Sequence, residues 1–244
     1  MASSTGAVCN QDQPLLSSEL PGSDSRFQGV LPPLASRPIF TIRKKAIKIC
    51  SIADYVAQDI MSHNHKRHIE LAVEQRKNIL IVGGTGAGKT TLANAILSDI
   101  AACGHRLVII EDTNELQCLA EDCVTLRTKD GAANMTDLLR ATMRLRPHRI
   151  IIGEVRGKDA LDLLKAWNTG HPGGCATVHA DSAAKGLRRL EQLVQEAGVV
   201  HSTGIIAEAV NLIIYLEKVD NDRRVKEVLW LNGLKDDRYQ LEAV

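Results

Sequence analysis

Aromatic residues are scarce in this chain: Phe, Trp and Tyr make up only 3% of 244 residues. Proteins that track single-stranded nucleic acid stack successive bases on aromatic rings, so the scarcity argues against that class. Net charge is nearly absent as well, with 30 basic against 29 acidic residues. A general basic surface for a polyanion is therefore not indicated, although a local basic groove stays open. No apolar run approaches the roughly 18 residues that span a bilayer. The opening Met1–Gly6 has neither the basic nor the apolar region of a secretory signal. The six cysteines contain no C-x-x-C pair, and Cys118 and Cys123 have no second ligand pair nearby. They read as reduced thiols, which predicts a cytoplasmic protein.

Against these absences stands one complete motif. Gly83-Gly84-Thr85-Gly86-Ala87-Gly88-Lys89-Thr90 fits G-x-x-x-x-G-K-[ST], a phosphate-binding loop. It follows the apolar run Asn78–Val82, read as a buried strand, and opens onto Thr91–Leu97, read as a helix. The glycines let backbone N–H groups curl around phosphates, and the helix N-terminus adds its positive end. Lys89 is expected at the β- and γ-phosphates, Thr90 in the Mg²⁺ shell, and Thr91 among the nucleotide-binding residues. A plain glycine turn between strand and helix is the competing account, and the Gly-Lys-Thr ending argues against it. The expected ligands are ATP and Mg²⁺.

Three more short apolar runs follow, each ending on a titratable group. Leu107–Ile110 leads to Glu111 and Asp112, Ile150–Gly153 to Glu154, and Cys175–Val178 to His179. Such runs, separated by helical patterns, are buried strands of a parallel sheet, and ligands of open α/β sheets bind at the strands' C-terminal edge. Any one of these residues can be a helix cap or a surface charge. Four strand ends of this kind predict a shared active edge. Hydrolysis of ATP needs a metal ion on the phosphates, a positioned water and positive charge. Glu154 is a candidate for metal binding, directly or through water, or for orienting the attacking water. Glu111 is the first candidate for polarising that water, with Glu115 a poorer one. His179 is a candidate γ-phosphate contact. Arg140 and Arg144, four apart in a helical pattern that Pro147 ends, form either a solvated face or an arginine donor to a neighbouring subunit.

Upstream, residues 1 to about 37 are rich in Ser, Pro and Gly and resemble a tail or a piece of a domain. The segment Ile39–Lys45 alternates briefly and turns basic; on its own text a solvated loop is the better reading, a strand the other. Ile52–Ile60 and Ile69–Arg76 read as helices. The histidine-rich His63–His68 between them reads as an exposed polar connector, since no carboxylate or cysteine completes a metal set.

Four motifs in order make the chain resemble the traffic ATPases of type II and type IV secretion and conjugation. They are the loop Gly83–Thr90, the acidic box Ile110-Glu111-Asp112-Thr113-Asn114-Glu115-Leu116, the second nucleotide motif Ile152-Gly153-Glu154-Val155-Arg156-Gly157, and the histidine box Gly170–Ala180. The resemblance covers roughly residues 13 to 242. It implies an α/β fold with a RecA-like phosphate-loop core and subunits assembled as a homo-hexamer. It also implies membrane-embedded type IV secretion partners and a peripheral place at the inner membrane face; the near-neutral charge and scarce aromatics predict no direct specific nucleic-acid binding. In this family Arg43 corresponds to a basic residue that approaches the phosphates from an N-terminal domain. The expected division is 1–49 as an incomplete, N-terminally truncated remnant of that domain, 50–77 as a helical linker and 78–244 as the ATPase domain. The expected function is a motor of conjugative pilus assembly or transfer, with a type II secretion or pilus retraction ATPase, or a RecA-type nucleic-acid motor, as alternatives.

Overall fold

The computed structural model describes residues 8–23, 25–44, 49–129, 131–220 and 222–244; Lys45 and the opening Met1–Gly6 lie outside them. By its contacts the chain divides into two units. One holds Met1–Lys48 with Thr113–Glu115, the other Ile49–Asp112 with Leu116–Val244.

The first unit is an antiparallel sheet of β1 (Leu15–Glu19), β2 (Arg26–Val30) and β3 (Ile39–Arg43), in that spatial order. Leu16 and Phe27 are buried in it, and the Phe27 ring stacks on Phe40 at 5.7 Å. Gly29 leaves the room for that ring, because a Cβ there would fall 2.9 Å from Phe27 Cε1. The stretch leading to Arg43, read as a loop from its own text, is thus a strand. Its pairing partner comes from the Ser- and Gly-rich segment before it, and all five β3 residues stay exposed. A strand with no buried face carries no clean alternation, which is why its own text is weak evidence.

The second unit begins with two helices, α1 (Ile52–Ala57) and α2 (His63–Glu74). The histidines expected in a connector form the first turns of α2. Ser62 caps that helix by accepting from the His65 N–H at 3.0 Å, and Lys66 pairs with Glu70 one turn on. Ile69, Ala72 and Val73 bury the opposite stripe. His68 accepts a hydrogen bond from Trp230 Nε1 at 2.9 Å.

The remainder alternates strand and helix. β4 (Ile79–Gly83) leads to α3 (Lys89–Ala101), β5 (Leu107–Glu111) to β6 (Cys123–Arg127) and α4 (Met135–Thr142), and β7 (Arg149–Ile152) to α5 (Asp159–Asn168). Then come β8 (Cys175–Val178), α6 (Ala183–Gln195), α7 (Thr203–Ala209), β9 (Leu212–Val219), β10 (Asp222–Lys235) and β11 (Arg238–Ala243). The eight strands lie in the order β11-β10-β9-β4-β8-β7-β5-β6. From β9 to β6 every pairing is parallel, and β10 and β11 add an antiparallel edge.

Two hydrophobic clusters cover the two faces of this sheet. Leu80, Val82, Val108, Ile110, Ile150 and Ile152 belong to one, and Ile79, Ile81, Leu107, Ile109 and Ile151 to the other. Alternate residues of each strand therefore point into different cores, so the strands read as continuous apolar runs. Each such side chain contributes about 1.5–3 kcal/mol when fully buried. Gly186 lets α6 lie close to the sheet: a Cβ there would meet Val82 Cγ2 at 2.5 Å. At the N-terminal side of β7, buried Arg149 donates to Val73 O at 3.0 Å, Gly173 O at 3.3 Å and His105 Nδ1 at 3.0 Å. Those acceptors keep a buried cation hydrogen-bonded where no carboxylate meets it among the described residues.

Helix α4 is shorter than its pattern suggests. Asn134 and Asp137 cap its start reciprocally, but it ends at Thr142. Arg144 and Leu145 then bond back only three residues, to Ala141 O and Thr142 O, and Arg146 takes a left-handed φ of 51°. Arg140 stays in the last helical turn while Arg144 falls in the turn beyond it. The single helical face expected for the two arginines is not formed, because Pro147 ends the helix earlier than the residue before it.

Candidate nucleotide-binding site

The phosphate loop leaves β4 and enters α3 through two glycines with left-handed backbone, Gly86 at φ 73° and Gly88 at φ 97°. Gly88 is the N-cap of the 13-residue α3, and no side chain caps the helix's first N–H groups. A loop of this shape turns backbone donors toward one point at the positive end of a helix dipole, which suits a phosphate. Gly83 is required for another reason. It lies opposite Leu216 of β9, and a Cβ would fall 2.8 Å from the Leu216 carbonyl oxygen.

Lys89 is buried, with 7% of its surface exposed. Its Nζ donates to Gly83 O at 2.9 Å and to Gly84 O at 3.0 Å, and lies 3.1 Å from His179 Nδ1. An ammonium only donates, so we assign the acceptor role to the nearer Nδ1 and the proton of a neutral imidazole to Nε2, which lies 3.4 Å from Nζ. That Nε2 lies 3.0 Å from Glu154 Oε1. Burial lowers the His179 pKa, and the Lys89 charge lowers it further, with Glu154 opposing and Arg156 adding to the fall.

Glu154 is held on its other oxygen by Arg156 at 2.7 Å. Burial pushes this carboxyl up, but hydrogen bonding and charge from Arg156, then His179 and Lys89, outweigh it and keep it below the ordinary carboxylate range. Arg156 reaches on to Asp112 at 3.2 Å, and Asp112 accepts from Thr128 Oγ1 at 2.9 Å. The contacts step across the sheet edge in strand order: loop after β4, then the ends of β8, β7, β5 and β6. Asp112 was placed at the shared edge by its strand end but given no role, and Arg156 and Thr128 were not among the candidates. Arg156 could have been singled out, since it stands two residues after Glu154 in the second nucleotide motif.

The other candidates fall elsewhere. Glu111 is 2% exposed, and its Oε1 accepts from Leu116 N at 2.8 Å, which ties the strand end to the following loop. Gly153 packs directly against this carboxylate side chain. In the first unit Arg43 pairs with Glu115 at 3.0 Å, an exposed pair worth about 0–1 kcal/mol. Arg140 and Arg144 are exposed, and among the described residues neither forms an ion pair with the chain from Lys89 to Asp112. Thr90 and Thr91 occupy the first turn of α3, beside the glycine cradle. With Glu154 ionised at the neighbouring edge, the donor set is oxygen, which suits Mg²⁺.

A glycine cradle at a helix start, a buried lysine, and acids at the ends of adjacent parallel strands define a phosphate-loop protein with a RecA-like core. In fold the chain matches the VirB11 ATPase of the Brucella suis type IV secretion system, solved with sulphate. The TM-score is 0.63 at 26% identity, over 94% of this chain and 77% of that one. It also matches the Legionella pneumophila ATPase DotB in fold, at TM-score 0.66 and 21% identity over 88% and 62% of the two chains. In sequence it is 50% identical to the conjugal transfer protein TrbB of Rhizobium radiobacter, across 96% of this chain and 72% of that protein. The profile of the type II/IV secretion system proteins matches residues 20–228. The chain belongs to that family.

Proposed function

We propose that this chain is the ATP-hydrolysing motor of a conjugative type IV secretion system. Two features carry the reading. One is the contact chain from Lys89 through His179 to Glu154 beside the glycine cradle. The other is half-identity to a conjugal transfer protein along nearly the whole chain. The phosphates of ATP sit in the cradle, and Lys89 leaves the Gly83 and Gly84 carbonyls to meet the β- and γ-phosphates. Those carbonyl bonds hold the ammonium in the loop beforehand, so little reorganisation is needed on binding.

Mg²⁺, when bound, would supply charge neutralisation against the phosphates. Thr90 and Glu154 are the residues to hold it, the glutamate directly or through water. His179 contacts the γ-phosphate and, being bonded to both Lys89 and Glu154, carries its presence to both. Glu111, packed against Gly153, is the candidate to polarise the attacking water once its buried carboxylate is uncovered on nucleotide binding, while Arg156 keeps Glu154 ionised at neutral pH. Arg43, Arg140 and Arg144 remain the candidates for positive charge from another domain or subunit. We further propose that 1–49, 50–77 and 78–244 act as N-terminal part, linker and ATPase domain of a hexameric ring. The ring works with membrane-embedded secretion components at the cytoplasmic face of the inner membrane. No helix among the described residues is long and apolar enough to cross a membrane, which fits a peripheral role.

Steady-state phosphate release tests this. Lys89→Ala is expected to abolish Mg²⁺-dependent ATP hydrolysis while the thermal unfolding curve stays close to wild type. Normal turnover in a well-folded Lys89→Ala protein would remove the phosphate-loop assignment. Strong stimulation of the wild type by DNA would favour a nucleic-acid motor instead.

A further inference from the structure

β9 runs parallel to β4, so the hairpin from β9 into β10 turns at the same sheet edge as the phosphate loop. Arg223 stands at the start of β10 on that edge, paired in register with Lys218. Its methylene stem lies against the loop. Cδ is 3.2 Å and Nε 3.7 Å from the point a Cβ on Gly88 would occupy, and Leu216 Cδ2 is 3.9 Å from the same point. A residue's Cβ direction diverges from its N–H. Arg223 therefore flanks the loop and does not cross the donors that receive phosphate. It is exposed, and its guanidinium makes no ion pair among the described residues.

What must lie beside the phosphates of a bound nucleotide is its nucleoside. An aromatic ring commonly receives the base, yet the rings of this unit are committed. Tyr55, Tyr215 and Trp167 are buried, Tyr239 packs against the core from β11, and Trp230 is bonded to His68. A guanidinium is planar, weakly hydrated and stacks on a π-face, so it can take that role. We infer, resting on the nucleotide reading above, that Arg223 receives the nucleobase. Its guanidinium stacks on the ring while Gly88 and Leu216 steady its stem. Gly88 then has two tasks: it supplies the left-handed turn, and it leaves the space the stem fills.

Calorimetric titration of the whole chain with ADP and, separately, with inorganic pyrophosphate tests this, because the two probes share the diphosphate and differ by the nucleoside. Arg223→Ala is expected to weaken ADP binding roughly 3- to 30-fold, the range of a stacked cation, and to leave pyrophosphate binding unchanged. Arg223→Lys keeps the charge without the plane and is expected to restore less than half of the loss, on a logarithmic scale. Equal weakening of both probes in Arg223→Ala would make Arg223 a phosphate contact and overturn the inference. So would ADP binding at the wild-type level in that variant. Failure of the wild type to bind either probe would instead sink the nucleotide reading itself.

Discussion

Gly153 and Glu111 compete for one volume. A Cβ on Gly153 would fall 3.1 Å from Glu111 Cγ and 3.3 Å from its Oε1. The glycine before Glu154 is there because the neighbouring strand ends in a buried carboxylate side chain that packs against it. Gly153→Ala is expected to destabilise the protein by about 1–3 kcal/mol, the usual cost of an extra methyl in a packed site. It should also lower hydrolysis, since Glu111 must shift. Denaturant unfolding and phosphate release measure the two; an alanine variant as stable and active as wild type would refute the packing argument.

Glu111→Gln and Glu154→Gln keep side-chain shape and remove charge. Both are expected to lose hydrolysis by tenfold or more while retaining ADP binding, since the cradle donors are backbone N–H groups. The two should differ in stability. Glu111 is buried and accepts from Leu116 N, a bond a glutamine oxygen can keep. Glu154→Gln removes the negative charge that pairs with Arg156, whose guanidinium also reaches Asp112. Parallel loss of ADP binding in both variants would assign them structural roles.

The pH response follows from His179. Burial, and then the Lys89 charge, lower its pKa below the ordinary histidine value of about 6.5. The folded form thus prefers the neutral ring. Its contribution is complete above pH 6.5 or so and is lost as pH falls from there through the lower folded value. His105 has the same sign, lowered by burial and then by Arg149 and Arg76. Stability and hydrolysis are both expected to fall on acidification below about pH 6.5. His179→Gln should flatten the hydrolysis profile and leave the stability slope that His105 contributes. An unchanged acidic limb of activity in His179→Gln would exclude His179 as its source.

Gly186→Ala places a methyl 2.5 Å from Val82 Cγ2 and is expected to cost about 1–3 kcal/mol. Val82→Ala alone opens a cavity and should cost a similar amount. The double variant is expected to be more stable than the sum of the two single losses, because each relieves the other's defect. Strict additivity in thermal unfolding would show that α6 and β4 are not in the contact described.

What the sequence determined by itself was everything local. The apolar runs Leu107–Ile110, Ile150–Ile152 and Cys175–Val178 are legible because a strand buried on both faces needs an unbroken apolar run. The loop Gly83–Thr90 is legible because its backbone shape demands glycine at fixed spacing. The residues that end those strands were legible for the same reason. Which of them touch was not. Strand order places β8 between β4 and β7, and that order alone sets His179 between Lys89 and Glu154. Arg156, Asp112 and Thr128 join only because β7, β5 and β6 are neighbours. Strand β3 depends on a partner from aperiodic text, and Arg223 reaches Gly88 from 135 positions downstream through the pairing of β9 with both β4 and β10. Such contacts are made by hydrogen-bonded registers between distant segments, and periodicity within one segment carries no information about them.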